Sequence, residues 1–216
     1  MTDPRFSACL LTTAYLPPVE YFYAIAHSDC VWIEQHENYQ KQSWRSRCRI
    51  LSAGGPEDLS IPIVKEERRS RPIRDIRIDY GEPWLQHHIR AFSAAYNASA
   101  YYDYYADDLI PILERKPAFL FDLNMELLEK LLDLLDLNVP VELTESYSPT
   151  PAPLVDLRER IQPKYKGESL LAEFGREQAY YQVFVNRDPL SSGFIPNLSI
   201  LDLLSAEGPD AGNFLR

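Results

Sequence analysis

A chain of 216 residues with 45% apolar and 25% charged side chains has ordinary globular composition. At that length it should bury roughly 70% of its unfolded surface, so neither metal nor disulfide is required to hold a core. Its apolar runs fall far short of the ~20 residues of a membrane span. The net charge of -10 and pI near 4.9 argue against a general nucleic-acid binder.

Residues 8–16 (ACLLTTAYL) form an apolar, β-branched run that stops at Pro17-Pro18, as a buried strand would. Behind the prolines, Val19, Tyr21, Phe22, Ile25 and Ala26 recur at helical spacing, predicting a short helix over 19–28. Residues 30–35 read as a second strand. Residues 47–52 and 59–64 read as a hairpin around Ala53-Gly54-Gly55-Pro56. Residues 72–79 fit an edge strand or an extended loop. From Pro83 the period changes. Helices are expected over 83–97 and 100–115, with Pro111 kinking or ending the second. Residues 118–137 put Leu120, Leu123, Leu127, Leu128, Leu131, Leu134 and Leu135 on one broad face. Another strand should begin at 139–143, and the proline-rich stretch 146–155 reads as an exposed linker. The tail suggests a helix near 168–178, a strand over 180–185 and a short helix over 198–204. The sum is a mixed α/β single domain, 1–216, with N-terminal strands, a central helical block and short C-terminal strands.

Cys9, Cys30 and Cys48 are odd in number and lack a CxxC pair, which gives no disulfide framework and no cysteine zinc site. The first residues carry an early acid and neither a basic lead nor a small-residue cleavage site, so no signal peptide is expected and a cytoplasmic location is the default. Charge is unevenly spread. Residues 41–77 hold ten basic side chains against five acids, and the rest of the chain holds twelve against twenty-seven, so the segment is +5 and the remainder -15. A basic island on an acidic protein draws a small anion to one spot, and guanidinium grips phosphate or carboxylate bidentately. Local salt bridges, such as Glu66-Glu67 beside Arg68-Arg69, are the plainer explanation.

No Walker loop, GxGxxG, HExxH or GxSxG occurs, and eight glycines leave no glycine-rich phosphate cradle. The densest polar stretch is 34–43. Strand alternation would place Trp32, Glu34 and His36 on one face, so Glu34 or Glu37 could orient His36 as a general base. A surface loop is the bland alternative, and a metal site lacks a third ligand. His87 and His88, about 100° apart on a helix, should face one inward and one outward. His27 suits a helix end. Cys48 between Arg47 and Arg49 is a candidate nucleophile if exposed, or a core residue if the strand buries it. Tyr101, Tyr104 and Tyr105 share a helical face that could stack on a sugar or edge the core.

Tyr15-Leu16-Pro17, Tyr21-Phe22, Ser43-Trp44 with Arg47, Arg49 and Ile50, and then Leu59-Ser60-Ile61-Pro62-Ile63 form an ordered series. It resembles the WbqC-like family, with its YLP…GYF opening, SW-x-NR-x-RI segment and L-x-VPV strand. The resemblance covers about the first two thirds of the chain. Leu11, Thr12 and Thr13 stand where many relatives have His-Gln-Pro, and Ser46-Arg47 replaces the NR pair. The resemblance implies a place in bacterial surface-polysaccharide (O-antigen) assembly. The expectation is a transferase acting on an activated or phosphate-bearing sugar, such as acyl or aminoacyl transfer to a sugar amine, with no cofactor. His36 with Glu34 would be catalytic. Arg45, Arg47 and Arg49, set on one face by alternation, would hold the anion, with Tyr15, Tyr21, Ser43 and Trp44 lining the sugar site. The alternative is a non-catalytic binding or scaffold protein of the same pathway.

Overall fold

In the computed structural model, residues 5–65, 71–149, 151, 153–185 and 193–216 are described. Four short strands build a parallel sheet. They are β1 (Cys9–Thr12), β2 (Val31–Glu34), β5 (Val141–Leu143) and β6 (Val155–Asp156), in the order β5-β2-β1-β6. All three pairings are parallel. Taken by chain order, these strands sit third, second, first, fourth. The chain therefore leaves β1 in one direction and returns on its other side, so β1 and β6 flank the point where strand order reverses. Parallel strands of this kind are buried on both faces, and β1 reads CLLT with every residue buried.

Pro17 and Pro18 end the first apolar run, and α1 (Val19–Ala26) starts at once, carrying the chain back to β2. His27 caps its last turn through Nδ1 on the Tyr23 carbonyl at 3.0 Å, the place its sequence position suggested. A 3₁₀ turn, Trp44–Ser46, leads into a separate hairpin of β3 (Arg47–Ser52) and β4 (Gly55–Ser60). The second arm starts four residues earlier than the 59–64 expected. Ser52 pairs with Gly55 across a two-residue Ala53-Gly54 turn, and Gly55 takes the positive φ (107°) that this tight reversal needs. Pro62 cannot extend the ladder, so residues 61–64 leave it. Residues 72–79 form a 3₁₀ turn and extended chain with isolated bridges rather than a strand.

The central block is α2 (Trp84–Tyr96), α3 (Tyr102–Glu114) and α4 (Leu120–Leu134). Pro111 lies inside α3, one turn from its end, where the helix stops soon after. On α2, His88 is buried and His87 exposed, as helical geometry required. The tail holds α5 (Leu170–Glu173), α6 (Ile200–Glu207) and α7 (Ala211–Phe214). No strand forms over 180–185, a correction: Gln182 ties this stretch down by side-chain bonds to Ile195 and Asp202 instead of by a ladder. The pairing imagined for residues 66–69 lies outside the described residues.

The motif residues make this fold cohere. Tyr15, Leu16, Tyr21, Phe22, Trp44 and Ile50 are all buried in one core, and Leu16 adopts the left-handed region (φ 42°) while its carbonyl accepts from Ser199 Oγ at 2.8 Å. On α6, Asp202 is buried and hydrogen-bonded by Gln182, without a cation partner among the described residues, and burial lifts its carboxyl to about 6. Its folded value therefore exceeds its unfolded one, so the native state favours the protonated form, and stability falls as pH rises from about 4 to 6. Asp202→Asn should remove that step. The variant should match the wild type below pH 4 and be more stable by roughly 1–3 kcal/mol at pH 7.5 in urea titrations, since a shift of two units is worth about 3 kcal/mol.

Candidate functional site

A cleft of about 420 Å³ opens at the carboxyl ends of the parallel strands, lined chiefly by His36, Asn38, Tyr39 and Gln40 after β2, Tyr147 from the proline-rich stretch, and Asp156 and Glu159 at and after β6. Ligands of open α/β sheets settle at such strand ends, beside the reversal of strand order. The stretch 146–155 was expected to be an exposed linker. Tyr147 is half exposed, as that reading requires, but it also forms a cleft wall.

Beneath the cleft a charge network joins three strand ends. Glu34, fully buried, accepts from the His36 backbone N–H at 2.7 Å, from Thr144 Oγ1 at 2.9 Å and from Arg158 Nη1 at 3.0 Å. Arg158 also donates from Nε and Nη2 to the two oxygens of Asp156 at 2.9 and 2.7 Å, and from Nη2 to the Ser148 carbonyl at 2.8 Å. Its guanidinium lies 5.1 Å from the centre of the Tyr147 ring, a cation–π contact. Burial alone would raise the Asp156 carboxyl. The hydrogen bonds and charge of Arg158 outweigh it and hold Asp156 below its ordinary value.

Glu34 therefore does not meet the His36 ring; strand β2 ends at Glu34, and the carboxylate turns back to cap the backbone two residues on. The ring instead places Nε2 3.0 Å from the Thr144 carbonyl. A carbonyl can only accept, so Nε2 carries a proton, and in the neutral ring Nδ1 is the nitrogen with the lone pair. Among the described residues nothing hydrogen-bonds Nδ1, and His36 lines the cleft.

Glu37 is spoken for as well. Arg45, fully buried, donates from Nε to Glu37 Oε1 at 2.8 Å and from Nη2 to Oε2. Burial raises the Glu37 carboxyl, and Arg45 offsets only part of that. Arg45 precedes β3 in the 3₁₀ turn, so strand alternation does not govern it, and the expected shared face with Arg47 and Arg49 is not formed. Those two project from the hairpin onto Asp58, with Arg47 Nη1 at 3.1 Å and Arg49 Nε at 2.7 Å. Neither lines the cleft.

The aromatic and hydroxyl candidates are placed away from it too. Tyr15 OH shares a 3.0 Å hydrogen bond with His88 Nδ1, Tyr21 OH donates to the Thr12 carbonyl at 2.7 Å, and Ser43 Oγ donates to the Gln40 carbonyl at 2.7 Å. These groups and Trp44 are buried, which leaves them to packing. Burial, then the adjacent His87, lowers His88 to about 4, so it is neutral at pH 7. Cys48 is fully buried, and that burial pushes its thiol far up, the opposite of nucleophile activation. On α3, Tyr102 and Tyr105 are buried and Tyr104 is exposed, as is Tyr101 just before the helix, and none lines the cleft. Sequence reading missed Arg158, Asp156, Thr144 and Tyr147. The clue available was the charged DLRER run directly after an apolar pair, which reads as solvated surface. Among the described residues no group of three or more His, Cys, Asp or Glu could hold a metal ion. No helix among them is long and apolar enough to cross a membrane.

The sequence matches the WbqC-like protein family over residues 13–214, nearly the whole chain. It is also similar to an uncharacterized protein of Mycobacterium tuberculosis, 29% identical over 223 aligned positions that cover 96% of each chain. No solved structure matches it.

Two outcomes follow from this geometry. Nitrogen NMR of the neutral His36 ring should find the proton on Nε2; an Nδ1–H tautomer would contradict the Thr144 contact. Arg45→Met should cost about 3–5 kcal/mol of unfolding free energy at pH 7.5, because it strands a buried carboxylate. The loss should shrink near pH 4, where the raised Glu37 is protonated, and a pH-independent loss would show packing alone.

Proposed function

The chain belongs to the WbqC-like protein family, and we propose that it is a transferase of bacterial cell-surface polysaccharide assembly. In this reading it transfers an acyl or aminoacyl group to the amine of a sugar bound in the cleft. The observation that carries the reading is the fixed His36 ring, whose Nε2–H is committed to Thr144 and whose Nδ1 lone pair is left for a substrate. The sugar nitrogen attacks the activated carbonyl carbon, a C–N bond forms and the bond to the activating group breaks. The amine proton passes to Nδ1 and then to the departing group. Tyr147 and Tyr39 offer apolar faces for a sugar ring, and Asn38, Gln40, Asp156 and Glu159 offer the hydrogen-bonding rim that sugars require. Glu34 acts through the backbone of His36 rather than on its ring, as a positioning residue. Arg45 has the same standing, holding Glu37 and the loop that carries His36.

A non-catalytic binding protein of the same pathway is favoured by one specific observation. Glu34, Glu37 and Asp156 are each paired with a guanidinium, so among the described residues that line the cleft the rim carboxylate of Glu159 is the one left outside these pairs to assist His36. Turnover separates the readings. With an amino-sugar acceptor and an acyl thioester donor, His36→Ala should lower kcat by 10²–10⁴-fold, the usual worth of a general base. Its melting temperature should move by only a few degrees, since the ring makes one partly exposed hydrogen bond worth about 1 kcal/mol. Full activity in that variant would remove His36 from the chemistry, and no turnover in the wild type with any donor would favour the binding protein.

A further inference from the structure

We infer that the protein holds a phosphate or pyrophosphate group of its donor in a second groove, on the far side of Tyr39 from the His36 cleft, against Lys41, Ser60 and Arg47. The inference rests on the two-substrate reading above and gives the second substrate a place. The groove measures about 350 Å³ and is lined by Tyr39, Lys41, Ser60, Pro62 and Glu82, among others. Tyr39 lines both cavities, and its hydroxyl is hydrogen-bonded to Ser46 Oγ at 2.9 Å, which fixes the dividing wall. Tyr39 lies three residue steps from His36 along the chain, at most roughly 11 Å, so one small substrate could span from one cavity to the other.

The hairpin supplies the cations. Its register sets Arg47 opposite Ser60 and Arg49 opposite Asp58, and Arg47 Nε donates to Ser60 Oγ at 3.2 Å on the groove wall. Both guanidiniums share the single carboxylate of Asp58, and both stay partly exposed, with side chains 23% and 38% accessible. Asp58 thus orders two guanidiniums and neutralises one. Lys41 adds a third cation and pairs with no carboxylate among the described residues. Against Asp58 and Glu82 this side keeps one positive charge in excess, with guanidinium N–H groups still unspent.

The His36 cleft has the opposite sign. Glu34, Glu37, Asp156 and Glu159 outnumber Arg45 and Arg158 by two. Two cavities that share a wall but differ in sign sort two substrates by charge, with the amine acceptor on one side and the anionic donor on the other. Of the cations in the forties, Lys41, Arg47 and Arg49 accordingly serve the hairpin side, and Arg45 is spent under the cleft.

Titration calorimetry with inorganic pyrophosphate tests this. The wild type should bind saturably, and more weakly as salt rises. Lys41→Ala with Arg47→Gln should weaken binding at least tenfold, His36→Ala should leave it unchanged, and Asp58→Asn should tighten it by freeing both guanidiniums. A nucleoside diphosphate run alongside identifies the source. Tighter binding than pyrophosphate marks a nucleotide-linked donor, and equal binding marks recognition of the phosphates alone, as on a lipid carrier. No saturable binding, or binding that ignores both the double variant and Asp58→Asn, overturns the inference. Since none of these readouts uses turnover, intact pyrophosphate binding with an inert His36 would sink the transfer chemistry and leave the groove standing.

Discussion

The buried bridge between Glu34 and Arg158 is the constraint on which the strand ends depend. In the sheet order β5-β2-β1-β6 these residues lie at and just beyond the ends of β2 and β6, so the bridge passes over the end of β1. A carboxylate with no exposure to solvent survives only if its acceptor sites are filled, and Glu34 fills them with a guanidinium, a hydroxyl and a backbone amide. Such a pair adds little net stability over well-packed apolar residues, but removing one partner strands a charge. What the pair supplies is geometry. It fixes the loop after β2, the loop after β5 and the start of the segment after β6 relative to one another. Those three segments supply most of the cleft's wall.

Thr144 shows how that geometry reaches the chemistry. Its backbone N–H extends the pairing of β5 to the Ile33 carbonyl, its hydroxyl serves Glu34, and its carbonyl accepts from both His36 Nε2 and the Gln35 side chain at 3.0 and 2.7 Å. One residue thereby couples the sheet, the buried charge and the imidazole. The carboxylate is two residues from the histidine, as the sequence suggests, yet it acts on the histidine's backbone, and the tautomer is chosen by a residue 108 positions away.

That separation also explains what could be read in advance. Local periodicity located α1, α2, α3 and α4 to within a few residues, because apolar faces and prolines are local signals. The alternation in Arg47-Cys48-Arg49-Ile50 gave the hairpin face correctly, burying Cys48 and Ile50. Residue Arg45 broke the pattern because it belongs to a 3₁₀ turn, where period two has no meaning. β6, at two residues, is too short to leave a pattern at all. Residues such as Arg158 and Asp156 look like ordinary solvated charge until a partner 124 positions away is placed beside them. The cleft was therefore legible only in His36 and its neighbours, and its far wall was not.

The family motif illustrates the same division. Tyr15, Leu16, Tyr21, Trp44 and Ile50 are the residues by which the chain is recognised, and they are core residues. Tyr15 reaches His88 on α2, and the Tyr15 backbone N–H donates to the Trp44 carbonyl at 2.8 Å, so the first strand's exit, the hairpin's entry and the central helices are drawn to one place. A motif of this kind records how the scaffold closes, whereas the side chains facing the cleft sit outside it on loops, where residues can change without cost to packing. Leu11, Thr12 and Thr13, where the resemblance leads one to expect His-Gln-Pro, can be placed in the same way. Those positions here are buried strand and strand end, and the imidazole available to a substrate is the one on the neighbouring strand's loop, at His36.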